Sequence, residues 1–200
     1  MTNVRRNLTG PDFVHIVCLV TASWLLLFEQ KECALVLRYT VKSGETLASI
    51  ALDFRTTTDA SKAANPSLQT REPEQNEVII IPGLPDPSTI PYRIFVSIST
   101  KRLVLFSGSE LIRSYPIATG KILNMTPTGS YYIVNRQPNP GGPFGAYWLS
   151  LSKIHYGIHG TNNPSSIGKA VSRGCIRMYN QDVLELASLV PNGTPVTISQ

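Results

Sequence analysis

The first apolar pattern of the chain changes its period from that of a strand to that of a helix. Tyr39 and Val41 alternate as in a β-strand, and Ser43–Gly44 then turns the chain. Either Glu45 or Thr46 can cap the helix that comes next. The apolar face of this helix consists of Leu47, Ile50, Ala51 and Phe54.

A second short helix is expected before Asn65–Pro66, because a residue that precedes proline resists the α conformation. A compact β run over Val78–Ile81 follows and ends at Pro82–Gly83. The order strand, helix, helix, strand predicts a small α+β domain (βααβ) at 39–83. Segment 84–91 is rich in proline, which predicts a short, stiff, extended linker.

Short β-type runs recur from residue 92 to residue 200. They span Arg93–Ile98, Arg102–Phe106, Leu111–Tyr115, Tyr131–Val134 and Thr194–Ile198. One helix is predicted near the end, capped by Asn180. Its apolar face consists of Val183, Leu184, Leu186, Ala187 and Val190. These runs predict a mainly β domain, a β-sandwich or barrel-like sheet with one helix.

Residues 1–38 precede these patterns and allow two interpretations. The apolar run Phe13–Phe28 follows two arginines, as in a signal peptide or anchor, but a membrane span needs about 20 residues. The alternative is a start codon assigned too far upstream. Lys31–Glu32 can be encoded by AAGGAG, a ribosome-binding sequence, and residues 35–37 can all be encoded by alternative start codons. No stable membrane span is expected.

Composition and charge narrow the class of protein. Hydrophobic residues make up 42% of the chain and charged residues 16%, which is enough for a packed core. Residues 39–83 hold four Lys/Arg and six Asp/Glu, whereas residues 92–200 hold ten and three, a net charge of +7. Such a field attracts an anionic partner. Nucleic acid and a polyanionic wall polymer agree equally well with the charge, although the sequence has no RNP-type aromatic motif, zinc-finger spacing or basic helix.

Cys175 is the only cysteine after residue 35, so this part of the chain has no internal disulfide framework. A thiol with a pKa of about 8.5 is mostly protonated at pH 7, so a nucleophilic cysteine needs help. His159 can act as its general base or ion-pair partner, and Arg173 and Arg177 favour the thiolate if they approach it in space. Gly174 permits a sharp turn, where backbone N–H groups can hold an oxyanion.

The sequence around these residues is specific. His159-Gly-Thr, a gap of about fifteen residues and Ser172-x-Gly-Cys-Ile-Arg resemble the signature of the L,D-transpeptidases, the YkuD family. Ala118–Lys121 and Thr126–Gly129 resemble a further segment of that family, and the resemblance spans about 92–198. It implies attack on the bond between the L-centre of meso-diaminopimelate and terminal D-alanine in a tetrapeptide stem. The resemblance also implies that the acyl group is held as a cysteine thioester and is then transferred to an amine of a neighbouring stem, which forms a 3→3 cross-link and frees the thiol.

The resemblance also implies roles for individual residues. Cys175 corresponds to the nucleophile, His159 to the base, and the Gly160 carbonyl to the acceptor that orients the imidazole. The candidates for substrate binding are Arg177, Gly174, Ser172 and Trp148. Many family members have histidine where this chain has Arg173, which concentrates the role of base on His159.

Residues 39–82 resemble a LysM module, which binds the glycan of peptidoglycan or chitin. The matching pieces are Y-x-V-x-x-G-E-T-L-x-x-I-A from Tyr39, the Asn65–Pro66 step and the closing I-I-I-P. The chain departs from the family at Ser61–Ala64, where a leucine is usual, and at Gln75–Asn76, where Gly-Gln is usual. The candidate glycan-binding residues are Gly44, Thr46 and Asn65.

Both modules indicate peptidoglycan as the partner, and we expect a monomer in the cell wall or otherwise outside the cytoplasm. If residues 1–35 are not translated, a spore wall or coat is the alternative location. An L,D-carboxypeptidase with water as acceptor and a non-catalytic wall-binding protein are the alternative functions.

No metal ion or other cofactor is expected. His155 and His159 have the spacing of metal ligands on a helix, but Gly157 and the β character of Tyr156 and Ile158 predict a strand. Both histidines would then share one face of that strand.

Overall fold

The computed structural model describes residues 36–200. The two interpretations of the N-terminal stretch therefore concern residues that lie almost wholly outside the described part of the chain. Within residues 36–200, no helix combines the length and the apolar character that crossing a bilayer requires.

The first region folds in the predicted order of strand, helix, helix and strand. Its elements are β1 Val36–Thr40, α1 Leu47–Asp53, α2 Thr58–Ala64 and β2 Val78–Pro85. Thr46 is the N-cap of α1 and forms a capping box, because its hydroxyl accepts from the N–H of Ser49 while the Ser49 hydroxyl accepts from the N–H of Thr46. Glu45, the other candidate cap, accepts instead from the hydroxyl of Tyr39.

The two strands of this region have other bounds than predicted. β1 begins at Val36 and ends at Thr40, one residue before Val41. β2 does not end at Pro82–Gly83 but continues to Pro85, which pairs with Val36 in the antiparallel ladder with β1. A register irregularity between Val36 and Arg38 accommodates the proline, which has no N–H to donate. The segment after Pro85 is not extended either, because Pro87–Thr89 forms a 3₁₀ turn.

The second region is built on an eight-stranded mixed sheet with the order β11-β9-β8-β7-β12-β3-β4-β5, and β10 pairs separately with β6. The bounds are β3 Tyr92–Ser97, β4 Arg102–Ser107, β5 Glu110–Pro116, β6 Thr119–Gly120, β7 Gly129–Pro138, β8 Tyr147–Leu151, β9 Gly157–His159, β10 Ala170–Ser172, β11 Ile176–Arg177 and β12 Pro195–Ser199. The sheet curls so far that its two edge strands approach each other. Ala118, just after β5, forms a β-bridge with Arg177 in β11. This confirms the predicted mainly β fold.

The one long helix of the second region, α3, spans Asn180–Leu189 and packs into the curl of the sheet. Two details of its prediction are wrong. Asn180 is the first helical residue and Tyr179 is the N-cap. Leu184 is exposed, because it lies off the stripe with helical spacing that faces the core. That stripe consists of Val183, Leu186, Ala187 and Val190.

Strand β7 belongs to two hydrophobic cores at once. Tyr131 and Ile133 pack into the core of the second region. Val134 is buried in the core of the first region, and Tyr132 packs against that core. Successive side chains of a strand point to opposite faces, so a run of four apolar residues needs cover on both sides. The first region supplies the cover on the outer face, where Phe54 contacts Tyr132 with ring centroids 6.1 Å apart.

Candidate active site

Cys175 and His159 line one cleft with a volume of about 420 Å³. The other lining residues are Lys121, Pro143, Phe144, Val171, Ser172, Arg173 and Arg177. Three of these nine residues are cationic and none is Asp or Glu. The cleft is therefore suited to a ligand that carries negative charge.

Strand pairing brings these residues together across the sequence. β9 and β11 are parallel, with Ile158 opposite Ile176 and His159 opposite Arg177. Cys175 directly precedes β11, so it falls beside the start of β9. On the other side of β9, Trp148 of β8 is opposite His159.

The His159 imidazole is held between its own backbone and two aromatic rings. Its Nδ1 lies 2.5 Å from the Gly160 carbonyl oxygen, which can only accept, so Nδ1 carries a proton. Trp148 stacks on the ring with centroids 5.1 Å apart, and Phe144 meets it edge-on at 5.2 Å. Burial lowers the pKa of His159 from its usual 6.5 to about 4. The ring is therefore neutral at pH 7, and Nε2 is free to accept a proton.

The Cys175 thiol lies in an environment that favours its neutral form. Burial raises its pKa, and this outweighs the opposing effects of the Gly157 backbone N–H and the Arg177 charge. The thiol also contacts the His155 carbonyl oxygen, 3.5 Å from Sγ. Arg177 does favour the thiolate, as predicted, but its effect is smaller than that of burial, and Arg173 does not contribute to it. The resting pair is a neutral thiol and a neutral imidazole.

A tight turn before Cys175 depends on glycine and serine. Gly174 has φ +108°, and a Cβ there would lie 2.6 Å from Cε1 of Tyr156. The Ser172 hydroxyl donates to the Cys175 carbonyl at 2.6 Å and accepts from the Gly174 N–H at 3.1 Å. Ser172 is buried and its hydroxyl is used by the turn, as is the Gly174 N–H. The N–H of Cys175 is the group of the predicted oxyanion site that this turn leaves available.

The two arginines of the motif differ in their surroundings. The Nε of Arg177 is buried and has no hydrogen-bond partner within residues 36–200. Arg173 is exposed at the rim of the cleft. Arg177 is therefore the better placed of the two to meet an anionic group inside the cleft.

Asn180 is a site residue that the sequence analysis assigned to another role. Its Oδ1 accepts from the N–H of Ala146 and the N–H of Thr161, both at 3.0 Å. It thereby joins the loop that carries Phe144 to the loop that follows His159. Gly160 permits this approach, since a Cβ there would lie 2.2 Å from the same oxygen. An asparagine at a helix start resembles a cap in sequence, so no local signal distinguishes the two roles.

His155 does not lie on a strand with His159, contrary to the prediction. β9 begins at Gly157, and His155 is an exposed turn residue with φ +68°. Residues 152–156 form a tight connection between β8 and β9, so the β character of Tyr156 does not extend the strand. The part of His155 that reaches the cleft is its carbonyl oxygen, which contacts Cys175.

The three candidate glycan-binding residues of the first region have different surroundings. Asn65 is buried, and its side chain donates to the Ser61 and Ile80 carbonyls and accepts from the Ile80 N–H. It is therefore a structural link between α2 and β2. Thr46 caps α1, and Gly44 lies in the open turn before it.

A shallow polar cleft of about 250 Å³ lies near that turn. Its lining residues are Lys62, Gln69, Thr70, Arg71 and Glu72. The Glu72 carboxylate accepts from the Leu47 N–H at 2.8 Å, which joins the cleft to the start of α1. These residues carry no distinguishing signal in the sequence, because their polarity is that of an ordinary solvent-exposed segment.

Both regions of the chain match known protein families. A family model of the L,D-transpeptidase catalytic domain matches residues 91–198, and a model of the LysM domain matches residues 39–82. The YkuD protein of Bacillus licheniformis, named as an L,D-transpeptidase, is 66% identical over 82% of this chain and 99% of its own length. The YqjB protein of Bacillus subtilis, named in the same way, is 36% identical over 54% of this chain and 71% of its own length.

Solved structures show the same fold. An L,D-transpeptidase from Mycobacterium smegmatis superposes with a TM-score of 0.54 at 15% identity, over 84% of this chain and 93% of that one. A cysteine-to-serine mutant of the Enterococcus faecium L,D-transpeptidase gives 0.51 at 22% identity, over 72% and 64%. These findings confirm the resemblance that the His159 and Cys175 motifs indicated. The chain belongs to the L,D-transpeptidase family, with a LysM domain preceding its catalytic domain.

Proposed function

We propose that this protein forms 3→3 cross-links in peptidoglycan through a thioester on Cys175. In the first step, Sγ attacks the carbonyl at the L-centre of meso-diaminopimelate and gives its proton to Nε2 of His159. The C–S bond forms, the C–N bond to D-alanine breaks, and His159 protonates the leaving amine. In the second step, an amine of a neighbouring stem attacks the thioester, and the proton that it loses returns to Sγ through His159.

The observation that carries the proposal is the state of the His159 ring. Its Nδ1–H is donated to Gly160 and burial keeps the ring neutral, so Nε2 can take the thiol proton at neutral pH. A neutral thiol then ionises only as it attacks, which agrees with the raised pKa of Cys175. Gly160 and the stacked Trp148 act on catalysis through the orientation of the imidazole.

Recognition of the stem peptide follows from the charges of the cleft. The stem carries free carboxylates, and the cleft lining contains Lys121, Arg173 and Arg177 without a single carboxylate. We assign Arg177 to a substrate carboxylate, because its buried Nε has no partner within residues 36–200. Ser172 and Gly174 support this binding by fixing the turn that presents Cys175.

The LysM domain is assigned to the glycan strand. The open turn at Gly44 and the neighbouring polar cleft at 69–72 are the surfaces available for sugar, while Asn65 holds the domain together from inside. Binding of the strand raises the local concentration of stems around the catalytic domain. The protein is accordingly assigned to the cell wall, outside the cytoplasmic membrane, and a spore wall or coat is the alternative location if residues 1–35 are not translated.

Mass spectrometry of the purified protein with a disaccharide-tetrapeptide tests the proposal. We expect loss of D-alanine together with a cross-linked dimer, and neither product with Cys175→Ala. Loss of D-alanine without dimer would replace transfer by hydrolysis, which is the L,D-carboxypeptidase reaction. Undiminished turnover by Cys175→Ala, or no reaction by the wild type, would overturn the thioester mechanism.

A carbapenem adduct provides a second test of the nucleophile. Intact-protein mass spectrometry should show one added carbapenem on the wild type and none on Cys175→Ala. Arg113→Ala is a suitable control, because Arg113 pairs with Glu185 on the exposed surface and does not line the cleft. An adduct of equal yield on Cys175→Ala would assign the reaction to another residue.

A further inference from the structure

We propose that Asp53 of the LysM domain is a positioning residue for the Cys175 thiol, so that the docked LysM domain supports catalysis as well as binding glycan. This inference rests on the proposed acyl transfer for its kinetic consequence. It begins from a contact between the two domains: an Asp53 Oδ1 accepts the backbone N–H of Ile154 at 2.7 Å. The two residues are 101 positions apart in sequence.

The docked position of Asp53 is set by apolar packing. Asp53 is the last residue of α1, and the neighbouring Phe54 packs on Tyr132 of β7. Val134, two residues further along the same face of β7, is buried in the LysM core. This packing carries the end of α1 to the connection between β8 and β9, where Asp53 meets Ile154. A carboxylate that accepts a backbone N–H makes a charge-assisted hydrogen bond, which is stronger than a neutral one.

The connection that receives this hydrogen bond spans residues 152–156. Its first residue is fixed on β7, because the Tyr132 N–H donates to the Ser152 hydroxyl and the Ser152 N–H donates to the Tyr132 carbonyl. Its last residue, Tyr156, is fixed on β8, because its carbonyl oxygen accepts from the N–H of Leu151 at 3.0 Å. Between these two ends, His155 has φ +68°, a conformation that costs a residue other than glycine about 1 kcal/mol or more. The hydrogen bond from Ile154 to Asp53 fastens the middle of the connection next to this strained residue.

The same connection supports the thiol. The His155 carbonyl accepts from Sγ of Cys175 at 3.5 Å, and the Gly157 N–H acts on the thiol from the start of β9. The Tyr156 ring lies against the Gly174 backbone, where no Cβ would fit. A shift of residues 154–156 would therefore move an acceptor and a packing surface of the nucleophile together, while the Gly157 N–H stays in β9. The path from Asp53 to Sγ passes through Ile154 and His155 only.

A displaced nucleophile is expected to react more slowly without binding substrate less tightly. Misplacement of reacting groups by about 1 Å can cost up to about a hundredfold in rate. Loss of one fastening hydrogen bond should give a smaller shift, and we expect roughly a tenfold fall in rate. The effect should be present with a soluble tetrapeptide that has no sugar, since the LysM domain then has no glycan to bind.

The test compares Asp53→Ala, Asp53→Asn and Asp53→Glu with the control Asp59→Ala in the full-length protein. Asp59 is an exposed carboxylate of the same domain that lies in α2. Asp53→Ala should lower kcat for the sugar-free tetrapeptide about tenfold with KM unchanged, and should slow alkylation of Cys175 by iodoacetamide. Asp53→Asn keeps an acceptor oxygen and should restore both rates, whereas Asp53→Glu moves the carboxylate and should fall between. Asp59→Ala should behave as the wild type.

Two outcomes separate this inference from the proposed function. If the wild type does not transfer acyl groups, the alkylation rates still show whether Asp53 positions the thiol. Thermal unfolding shows whether Asp53→Ala folds. If it does not, the kcat and alkylation rates of Asp53→Glu are compared with those of Asp53→Asn instead. Wild-type kcat and alkylation rates in folded Asp53→Ala and Asp53→Glu would overturn the inference, as would equal losses in Asp59→Ala.

Discussion

Lowering the pH from 7 to 4 should remove about 3 kcal/mol of stability through the single side chain of His159. Burial lowers its pKa from 6.5 to about 4 in the folded protein. Between these two values the unfolded chain binds a proton that the folded protein does not, so the free energy of unfolding falls as the pH falls. Each pKa unit corresponds to about 1.4 kcal/mol, which gives a total of about 3 kcal/mol. The contribution is fully present above pH 6.5 and lost on the way to pH 4.

The assay is urea unfolding at several pH values between 7 and 4, for the wild type and for His159→Asn. Asparagine can place an N–H near the Gly160 carbonyl as Nδ1 of His159 does, but it does not titrate. All other groups titrate in both proteins, so the difference between the two stabilities isolates His159. We expect His159→Asn to gain about 3 kcal/mol relative to the wild type across this range. A difference that stays constant from pH 7 to 4 would refute the argument that burial keeps the ring neutral.

Two further predictions concern hydrogen bonds that are missing or shared. Ser61→Ala should raise the free energy of unfolding by about 1 kcal/mol, because the buried Ser61 hydroxyl has no hydrogen-bond partner within residues 36–200 and alanine has a higher helix propensity in α2. In a thermal melt this corresponds to a rise of about 2–4 °C in the melting temperature. Ser67→Ala, at an exposed position, is the control. Asn180→Ala should lower the free energy of unfolding by about 1–3 kcal/mol and should lower kcat, because it removes the acceptor of two backbone N–H groups. Asn180→Asp keeps an acceptor oxygen and should retain most activity. Equal losses in both variants would contradict this role of Asn180.

Local sequence patterns predicted the helices, strands and turns well, because each of these elements depends on residues that are close together in sequence. The capping of α1 by Thr46, the step at Asn65–Pro66 and the strands of the curled sheet follow from period and turn chemistry over a few residues. The same holds for the turn at Gly174, which only a residue without a side chain can adopt next to Tyr156. The motif that joins His159 to Cys175 identified the family because its residues keep fixed roles.

Features that depend on contacts between distant segments were not predictable from these patterns. The burial that raises the pKa of Cys175 above its usual value comes from packing, and it outweighs the charge of Arg177, which is close in sequence. Asn65 resembles a surface residue of a binding loop, but the backbone of Ser61, four positions before it, and that of Ile80, fifteen positions after it, turn its amide inward. The cover over Tyr132 and Val134 comes from a domain that precedes them by some fifty residues or more.

That cover has a practical consequence for anyone who wishes to rebuild the protein. The LysM domain covers part of the catalytic domain. Removing it would expose the apolar outer face of β7 to water and make the catalytic domain prone to self-association. Another carbohydrate-binding module could replace the LysM domain only if it had an apolar patch that covers Tyr132 and Val134. It would also need a hydrogen-bond acceptor for the Ile154 N–H at the position of Asp53. Cutting the chain within Pro87–Thr89, by contrast, should yield two fragments that stay together.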